Sequence, residues 1–347
     1  MTSDTDRPQD TVSTVRGPVP ADGLGITLAH EHLFVLSAEF QSNYPALWDS
    51  AAGVRDAVAQ LQRAYAAGVR TVVDMTVLGQ GRDIDLVLRV AAQSDLNIVL
   101  ATGVYSLDGV PLFARFRGPG CDLESEDPLT DLLTRDITHG IGNSGVRAAL
   151  VKFACERTPL QAADHRMAAV VAEVHRRTGV AVVVHSNPFQ ANGLELVRLL
   201  EKEGVPAPRV VIAHAGDSPD QGYLRALADT GAMLGFDRYG MVPFAPDEQR
   251  NQILAALVRA GHLEQLLVSQ DHAVHIDYVT LEQRREMWPD WSYTHLLERV
   301  WPKLAELPGI DQEVLDTLLI GNPRRLLTRT PQTPRSAAAA KEAAGVR

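Results

Sequence analysis

Short runs of apolar residues, rich in valine and isoleucine, recur along the chain and are separated by longer mixed segments. Runs of this kind, bounded by turn residues, are typical of β-strands that are buried on both faces. The predicted strands are residues 25–32, 70–76, 97–103, 147–154, 179–187, 209–217, 232–240 and 265–271.

The segments between these strands mostly have the pattern of amphipathic helices. In AAGVRDAVAQLQRAYAAG, residues 51–68, apolar positions recur three or four residues apart, and Gly68 provides a stop signal. Regular alternation of strands and helices predicts a parallel sheet. Eight strand–helix repeats without a clear ninth strand favour a closed (β/α)8 TIM barrel, and an open doubly wound sheet is the alternative.

One large domain, residues 15–329, accounts for this alternation. Its long segments at 104–146 and 272–292 follow predicted strand ends, where barrel enzymes build substrate pockets from loops. Residues 1–14 are predicted to be a flexible N-terminal segment. Residues 330–347, which include SAAAAKEAAGVR, are predicted to be a disordered tail.

Composition narrows the choice of partners and compartment. The formal charge of -10, without a cluster of Lys and Arg, disfavours nucleic acid as a partner. No apolar run has the length of a membrane span and the first residues do not resemble a secretory signal, so we expect a cytoplasmic protein that contacts no membrane. The two cysteines, Cys121 and Cys155, lack CxxC partners, which disfavours disulfides and a thiolate zinc site.

The first predicted strand ends in TLAHEH, which places His30 and His32 two residues apart. Side chains at this spacing point to the same face of a strand, so two imidazoles could bind one metal ion while Glu31 faces the other way. We therefore expect the substitution Glu31→Gln to leave the chemistry largely intact. The motif is short, and two unrelated polar residues at a strand end are the alternative reading.

In a closed barrel the carboxyl-terminal ends of all strands meet at one rim, and several metal-binding side chains fall there. Imidazole nitrogens and carboxylate oxygens together suit zinc, manganese, iron or cobalt. The candidate ligands are His30, His32, Lys152, His185, His214 and Asp271.

Lys152 stands out among these ligands, because a buried ammonium beside a metal dication would be repelled. Burial and nearby positive charge depress the pKa of a lysine, and the neutral amine can add carbon dioxide to form a carbamate that bridges two metals. An outward-facing lysine in a salt bridge is disfavoured by the apolar neighbours in ALVKFA. Two metals with a bridging hydroxide predict hydrolysis, with Asp271 as a metal ligand and proton acceptor.

Taken in order, GITLAHEH, the lone VK on strand four, VHSN, IAHAGD, GFDRYG and SQD resemble the phosphotriesterase family of the amidohydrolase superfamily, over roughly residues 15–328. DMTVLGQGRDI, ATGVY, FDRYG and GNPRRLL resemble the lactonases of that family more closely. The resemblance implies two divalent metal ions per chain, zinc first, with cobalt, manganese or iron as alternatives. It implies one metal held by His30, His32 and Asp271, a second held by His185 and His214, and carboxylated Lys152 with a hydroxide bridging both.

The resemblance also implies a small-molecule substrate. Members of this kind open lactones, including N-acyl homoserine lactones, and hydrolyse phosphotriesters and aryl esters as side reactions. Tyr105 matches a tyrosine that lines the site, and Arg238 matches an arginine that positions the strand-eight loop. Ring packing under a loop and a plain salt bridge are the respective alternatives. A homodimer is expected because similar proteins dimerise.

The strand-eight loop departs from the pattern of many lactonases, which have a cysteine pair where this chain has Ala273 and Val274. His272 and His275 are additional imidazoles, for which we favour a role in loop structure over a substrate contact. Four large side chains there could line an acyl-chain channel or form a small core of the loop itself. They are Tyr278, Met287, Trp288 and Trp291.

Other functions fit the same site. An amidase or carboxylesterase acting on a small metabolite could use the same hydroxide, because only the loops select the substrate. A barrel that binds a small molecule without catalysis is disfavoured, because every candidate ligand is present. A site with one metal would follow if Lys152 were not carboxylated.

Overall fold

The computed structural model describes residues 10–328. The strands are β1 (Thr11–Thr14), β2 (Gly17–Pro20), β3 (Thr27–Val35), β4 (Thr71–Asp74), β5 (Asn97–Val104), β6 (Leu150–Cys155), β7 (Ala181–Ser186), β8 (Val210–Ala213), β9 (Met233–Phe236), β10 (Leu266–Val268) and β11 (Ala273–Ile276).

Helices connect most of these strands. They are α1 (Ala38–Asn43), α2 (Ser50–Ala66), α3 (Ile84–Ala91), α4 (Leu112–Arg115), α5 (Pro128–Thr138), α6 (Ala162–Thr178), α7 (Gly193–Lys202), α8 (Gln221–Asp229), α9 (Asp247–Arg259), α10 (Leu281–Met287), α11 (Trp301–Leu304), α12 (Gln312–Asp316) and α13 (Asn322–Leu327). Short 3₁₀ turns lie at Ala21–Leu24, Pro45–Leu47, Ala207–Arg209, Ala215–Asp217 and Leu263–Gln265, and π-helical turns at Leu296–Val300 and Thr317–Gly321.

The parallel sheet runs in the order β10, β9, β8, β7, β6, β5, β4, β3 and β11. Its two ends are parts of one barrel strand, because β10 pairs with β9 while β11 pairs with β3. Between them Asp271 N donates to His30 O over 3.0 Å and His32 N donates to His272 O over 2.8 Å, which continues the ladder across the gap. The (β/α)8 barrel is therefore confirmed over the open sheet.

The eighth barrel strand is interrupted where the sequence predicts it to be continuous. It stops at Val268 and resumes at Ala273, because Asp271 adopts a φ of 53° that is incompatible with an extended strand. The prediction of residues 265–271 as one strand is therefore wrong at its end.

Alternate residues of each strand enter two different cores, which explains the continuous apolar runs. Val72 and Val182 face the helices, whereas their neighbours Val73 and Val183 face the inside of the barrel. Both layers are buried, so the strands have no polar face until they reach the rim.

A hairpin of β1 and β2 precedes the barrel, and the sequence pattern does not predict it. The sequence predicts Thr11–Thr14 within a flexible segment, whereas the structure shows β1 paired antiparallel with β2. Buried Val12 explains the difference, since it packs into the inner barrel core together with Leu326 of α13. Residues 1–9 and the tail predicted at 330–347 lie outside the described residues.

The long segment predicted after the third barrel strand is partly regular. It contains α5, which packs against β5 and α6 as the ordinary helix of its repeat, so only the stretch before Pro128 is a true insertion. The segment after the eighth strand contains β11 and α10. Within residues 10–328, no helix has the length and apolar character needed to cross a membrane.

Candidate metal centre

Six polar side chains that the sequence singles out lie together at the carboxyl-terminal rim of the barrel. Two of them, His214 with a φ of 66° and Asp271 with a φ of 53°, occupy the left-handed region that few non-glycine residues adopt. Such backbone strain is common at functional sites. The six are His30 and His32 in β3, Lys152 in β6, His185 in β7, His214 after β8 and Asp271 between β10 and β11.

His30, His32 and Asp271 form the first group. Asp271 Oδ1 lies 3.2 Å from His32 Nε2 and 3.5 Å from His30 Nε2. The three potential ligand atoms all lie within 4.8 Å of one another, which is the spacing of side chains that share one ion. Two neutral nitrogens and one carboxylate oxygen make up a ligand set that suits zinc and related divalent ions.

His185 and His214 form a second group beside the first. His185 Nδ1 lies 2.8 Å from His214 Nε2, and the rings of His214 and His30 are 5.2 Å apart. Lys152 reaches the first group, with Nζ 3.5 Å from His30 Nε2, and donates to the main-chain carbonyl of Met75 over 3.2 Å. The structure thus brings all six predicted ligands into one contiguous site.

Asp237 links the two groups from behind. Its carboxylate accepts a hydrogen bond from His30 Nδ1 over 3.2 Å and another from His214 Nδ1 over 2.9 Å. The main-chain N–H of His214 donates to the same carboxylate over 2.9 Å. A proton on each Nδ1 leaves Nε2 unprotonated, and those Nε2 atoms are the ones that face Asp271 and His185.

The other two histidines are oriented in the same manner. His32 Nδ1 lies 2.8 Å from the hydroxyl of Thr76, and His185 Nε2 donates to Glu156 over 2.7 Å. Each of the four histidines therefore has its outer nitrogen engaged and its inner nitrogen turned towards the site. Metal-binding histidines show this arrangement, so the residues present fit divalent metal ions.

Sequence reasoning missed Asp237, Glu156 and Thr76. Each follows or ends a barrel strand, which is a weak signal shared by many polar residues. Asp237 had the best chance of being found, because it directly precedes Arg238 in GFDRYG, a segment that the sequence already marks.

Burial controls the protonation of the imidazoles. Because burial penalises the charged form, the pKa of His185 falls to about 4 and the pKa of His214 falls well below its usual range. The pKa of His32 is lowered for the same reason. Neutral imidazoles have the free lone pair that metal binding requires.

Lys152 is shifted in the same direction. Burial lowers the pKa of its ammonium group to about 8, although the nearby carboxylates of Asp271, Asp237 and Asp74 oppose the change. At pH 8 roughly half of such amines are neutral, compared with under about 1% for an ordinary lysine. A neutral amine is the form that can react with carbon dioxide.

Arg238 contacts Asp271 directly and belongs to a buried ion-pair network. Arg238 Nε donates to Asp271 Oδ2 over 3.1 Å, and Nη1 donates to Asp217 Oδ2 over 3.3 Å. Asp217 in turn accepts from Arg250 Nη2 over 2.6 Å. Burial opposes the charge of Asp271, but its hydrogen bond with His32 and the nearby guanidinium of Arg238 hold its pKa well below the usual range.

Tyr105 lies beside His185 and Lys152. Its ring is 5.0 Å from the ring of His185 in an edge-on arrangement, and its centroid is 6.0 Å from Lys152 Nζ. Burial raises the pKa of the Tyr105 hydroxyl well above its usual range, so the hydroxyl keeps its proton. Its ring lines the cavity above these side chains.

A cavity of about 180 Å³ opens over these groups and has mostly apolar walls. Tyr278, Trp288 and Trp291 line it, whereas Met287 does not belong to its wall. Its other apolar lining residues are Val35, Met241, Phe244, Ala273 and Ile276.

The two additional histidines of the strand-eight loop do not join the site. His272 packs edge-on against Trp291 and Tyr293, and its Nε2 lies 2.8 Å from Gln60 Oε1. His275 stacks on Trp48 with the ring centroids 5.0 Å apart. These contacts support a role in loop structure for both.

Glu31 faces away from the histidine cluster, as predicted, but its side chain makes hydrogen bonds near the site. Its buried carboxylate accepts hydrogen bonds from Ser269, Gln270 and His272, the residues around Asp271. The expectation that Glu31→Gln leaves the chemistry intact therefore loses its basis, because the far face of β3 supports a segment that carries a candidate ligand.

Comparison with known proteins places these observations in a family. The family model described as the phosphotriesterase family matches residues 10–327. The chain is 39% identical to a protein named phosphotriesterase homology protein from Mycobacterium tuberculosis, over 92% of this chain and 98% of that protein. It is 32% identical to an aryldialkylphosphatase from Saccharolobus solfataricus, over 89% of this chain and 97% of that protein.

Two further comparisons bear on fold and activity. The solved structure of the phosphotriesterase from Mycobacterium tuberculosis superposes with a TM-score of 0.89 at 39% identity, covering 92% of this chain and 98% of that chain. An N-acetyltaurine hydrolase from Salmo salar is 26% identical over 91% of this chain and 97% of that protein.

Proposed function

The chain belongs to the phosphotriesterase family, and on that premise we propose that this metal-dependent hydrolase opens lactones. The proposed substrates include N-acyl homoserine lactones and γ- and δ-lactones, with phosphotriesters and aryl esters as side substrates. Water adds across the ring ester bond, so the acyl C–O bond breaks and a hydroxy acid is formed.

The charge distribution of the cavity is the observation that carries this proposal. Its lining contains two basic side chains, Lys152 and Arg238. Arg238 is already paired with Asp271 and Asp217, and Lys152 lies within the ligand group. The half-exposed carboxylate of Glu156 adds negative charge beside His185. Away from the metal ligands the lining therefore offers no free cation, so a substrate whose side group is neutral suits this cavity better than one whose side group is anionic.

The walls of the cavity favour a substrate with an apolar part. Phe244, Trp288 and Trp291 contribute large apolar surfaces, and Val35 and Ile276 contribute aliphatic ones. An acyl chain or alkyl ring would lose water against these surfaces, at about 25 cal/mol per Å² of apolar area removed from water. Lactones and phosphotriesters are both neutral and can carry such groups.

We assign the ligand roles to the same side chains that the geometry brings together. His30, His32 and Asp271 would hold one metal and His185 and His214 the other, with carboxylated Lys152 between them. Two divalent ions at such a site activate water at neutral pH and polarise the oxygen under attack. The lowered pKa values of His32, His185 and His214 and the lowered pKa of Asp271 favour the protonation states that metal binding requires.

Asp271 is also assigned the proton transfer. Arg238 occupies its Oδ2 atom, which leaves Oδ1 directed towards His30 and His32 and able to accept a proton from water and pass it to the leaving alkoxide. Tyr105 keeps its hydroxyl proton and can donate a hydrogen bond to a substrate oxygen.

Amide hydrolysis is the second candidate, favoured by the relatives named N-acetyltaurine hydrolase. N-acetyltaurine is an amide that carries a sulfonate anion apart from its carbonyl, so the sulfonate calls for a cation away from the metal ligands. The described lining residues do not offer one outside the ion pairs and the ligand group. We therefore place lactones ahead of this amide.

The test combines metal analysis with a substrate panel on one protein preparation. Elemental analysis would be paired with a pH-indicator assay against N-acyl homoserine lactones, γ- and δ-lactones, paraoxon and N-acetyltaurine, with Asp271→Asn as the control. We expect two metals per chain and lactone turnover well above the turnover of the other substrates. Faster hydrolysis of N-acetyltaurine, or a folded protein that binds no metal, would overturn the proposal.

A further inference from the structure

The carboxylate of Glu31 is buried on the far side of β3 and accepts three hydrogen bonds. Oε1 accepts from Ser269 Oγ over 2.6 Å and from the main-chain N–H of Gln270 over 2.9 Å. Oε2 accepts from the main-chain N–H of His272 over 2.7 Å. The donors lie on both sides of Asp271 in the chain, so one carboxylate spans the whole break between β10 and β11.

This break needs such support because the main-chain bonds with β3 satisfy the amide of Asp271 but not the amides of Gln270 and His272. Asp271 adopts a left-handed φ, which is costly for a residue with a Cβ atom and persists only where the surroundings enforce it. The amides of Gln270 and His272 are buried with their segment and require acceptors. Glu31 satisfies both amides at once.

Glu31 is also joined through the main chain to His30 and His32, which form the first ligand group with Asp271. Glu31 lies between His30 and His32 in the chain, and main-chain hydrogen bonds link both neighbours to the break, from Asp271 N to His30 O and from His32 N to His272 O. Ser269 Oγ, the donor to Glu31, also accepts from His30 N over 3.0 Å. The positions of His30, His32 and Asp271 therefore depend on one compact hydrogen-bonded unit.

We propose that Glu31 is a positioning residue that holds the turn of residues 269–272 so that Asp271 Oδ1 meets His32 Nε2 and His30 Nε2. It acts through Asp271 and does not touch the substrate. The inference rests on the proposed metal-binding role of the first group for its functional effect, whereas the hydrogen bonds themselves do not depend on any ligand.

A carboxylate suits this position because its two oxygens present only acceptors. Glutamine has almost the same shape but replaces one acceptor by an NH₂ donor. That donor would face either the N–H of His272 or the donors of Ser269 and Gln270. The substitution therefore turns a satisfied contact into opposed donors with little change in volume.

The experiment compares Glu31→Gln with Asp136→Asn as a matched control. Asp136 is also a buried carboxylate, paired with Arg82 over 2.8 Å and with Thr102 over 2.6 Å, but it lies on α5 and contacts none of the candidate ligands. Both variants lose a buried acceptor, so a general loss of stability should appear in both. Only Glu31→Gln should change the metal site.

Three readouts are expected to separate the variants. In Glu31→Gln, chelator competition with Zn²⁺ should show at least about 10-fold weaker binding of one ion, as is typical when the support of a ligand is removed. On the best wild-type substrate, kcat should fall more than KM changes. In metal-free protein, hydrogen exchange at the Gln270 and His272 amides should be at least about 10-fold faster.

The outcomes distinguish this inference from the proposed function. If wild-type protein binds no Zn²⁺, the proposed function fails, and amide exchange in metal-free protein still decides whether Glu31 holds the turn. If wild-type protein binds two ions and Glu31→Gln matches it in affinity and in amide exchange, the inference is overturned. Should Glu31→Gln not fold, Ser269→Ala removes one of the three hydrogen bonds, and unchanged Zn²⁺ affinity in that variant would overturn the inference equally.

Discussion

Replacing Asp237 by asparagine would test how the two ligand groups are held together. Asp237 accepts from Nδ1 of both His30 and His214 and from the main-chain N–H of His214. Asparagine retains one acceptor oxygen, which we expect to stay with His214 because two donors of that residue converge there. The amide NH₂ would then face His30 Nδ1.

That arrangement reverses the protonation of one ligand. An NH₂ donor at His30 Nδ1 requires a lone pair on that atom, so the proton moves to His30 Nε2, the atom that faces Asp271 and Lys152. A protonated Nε2 cannot bind a metal. Removing one outer partner of a metal-binding histidine costs about 10- to 100-fold in affinity, or roughly 1.4 to 2.7 kcal/mol.

The expected result is therefore selective for one of the two metals. Asp237→Asn should weaken the ion of the first group by about 10- to 100-fold and leave the second nearly unchanged, whereas Asp237→Ala should weaken both. Stepwise chelator competition with elemental analysis would measure this, with Asp136→Asn as the control. If Asp237→Asn bound both ions within about threefold of wild-type affinity, the reasoning about the outer nitrogens would be refuted.

Three further predictions follow from the same geometry. Lys152→Ala should lose the bridge and most activity, and added short-chain carboxylate should restore part of the rate; full metal content and rate in Lys152→Ala would rule the bridge out. In metal-free folded protein the pKa of His185 is about 4, compared with 6.5 for an ordinary histidine, because burial favours the neutral imidazole. Its contribution to the free energy of unfolding is therefore complete above pH 6.5 and declines as the pH falls towards 4. The free energy of unfolding in urea should consequently drop by about 2 kcal/mol from this group between pH 7 and 5, and an unchanged value would contradict the shift. Glu156→Gln should weaken the ion of the second group by about 10-fold in chelator competition, because His185 Nε2 loses a charged acceptor, and wild-type affinity would exclude that role.

The pattern of the sequence was sufficient for the barrel and for the assembly of the candidate site. Alternating strands and helices imply a parallel sheet, and parallel strands bring their carboxyl-terminal ends to one rim. His185 and His214 could therefore be placed together without knowledge of any contact between them. The resemblance to the phosphotriesterase family, seen in motifs spread over the whole chain, is confirmed by the match over residues 10–327.

Only the tertiary structure shows which side chains hydrogen-bond to the candidate ligands from outside the site. Asp237 accepts hydrogen bonds from His30 and His214, and Glu31 accepts them from the segment around Asp271. These partners are far apart in the chain, so no local pattern encodes the contacts. The alternation of side chains along β3 correctly predicts that Glu31 faces away from the histidines. What lies on that far side follows from the closure of the barrel, which brings the last strand against the first, and closure is a property of the whole sheet.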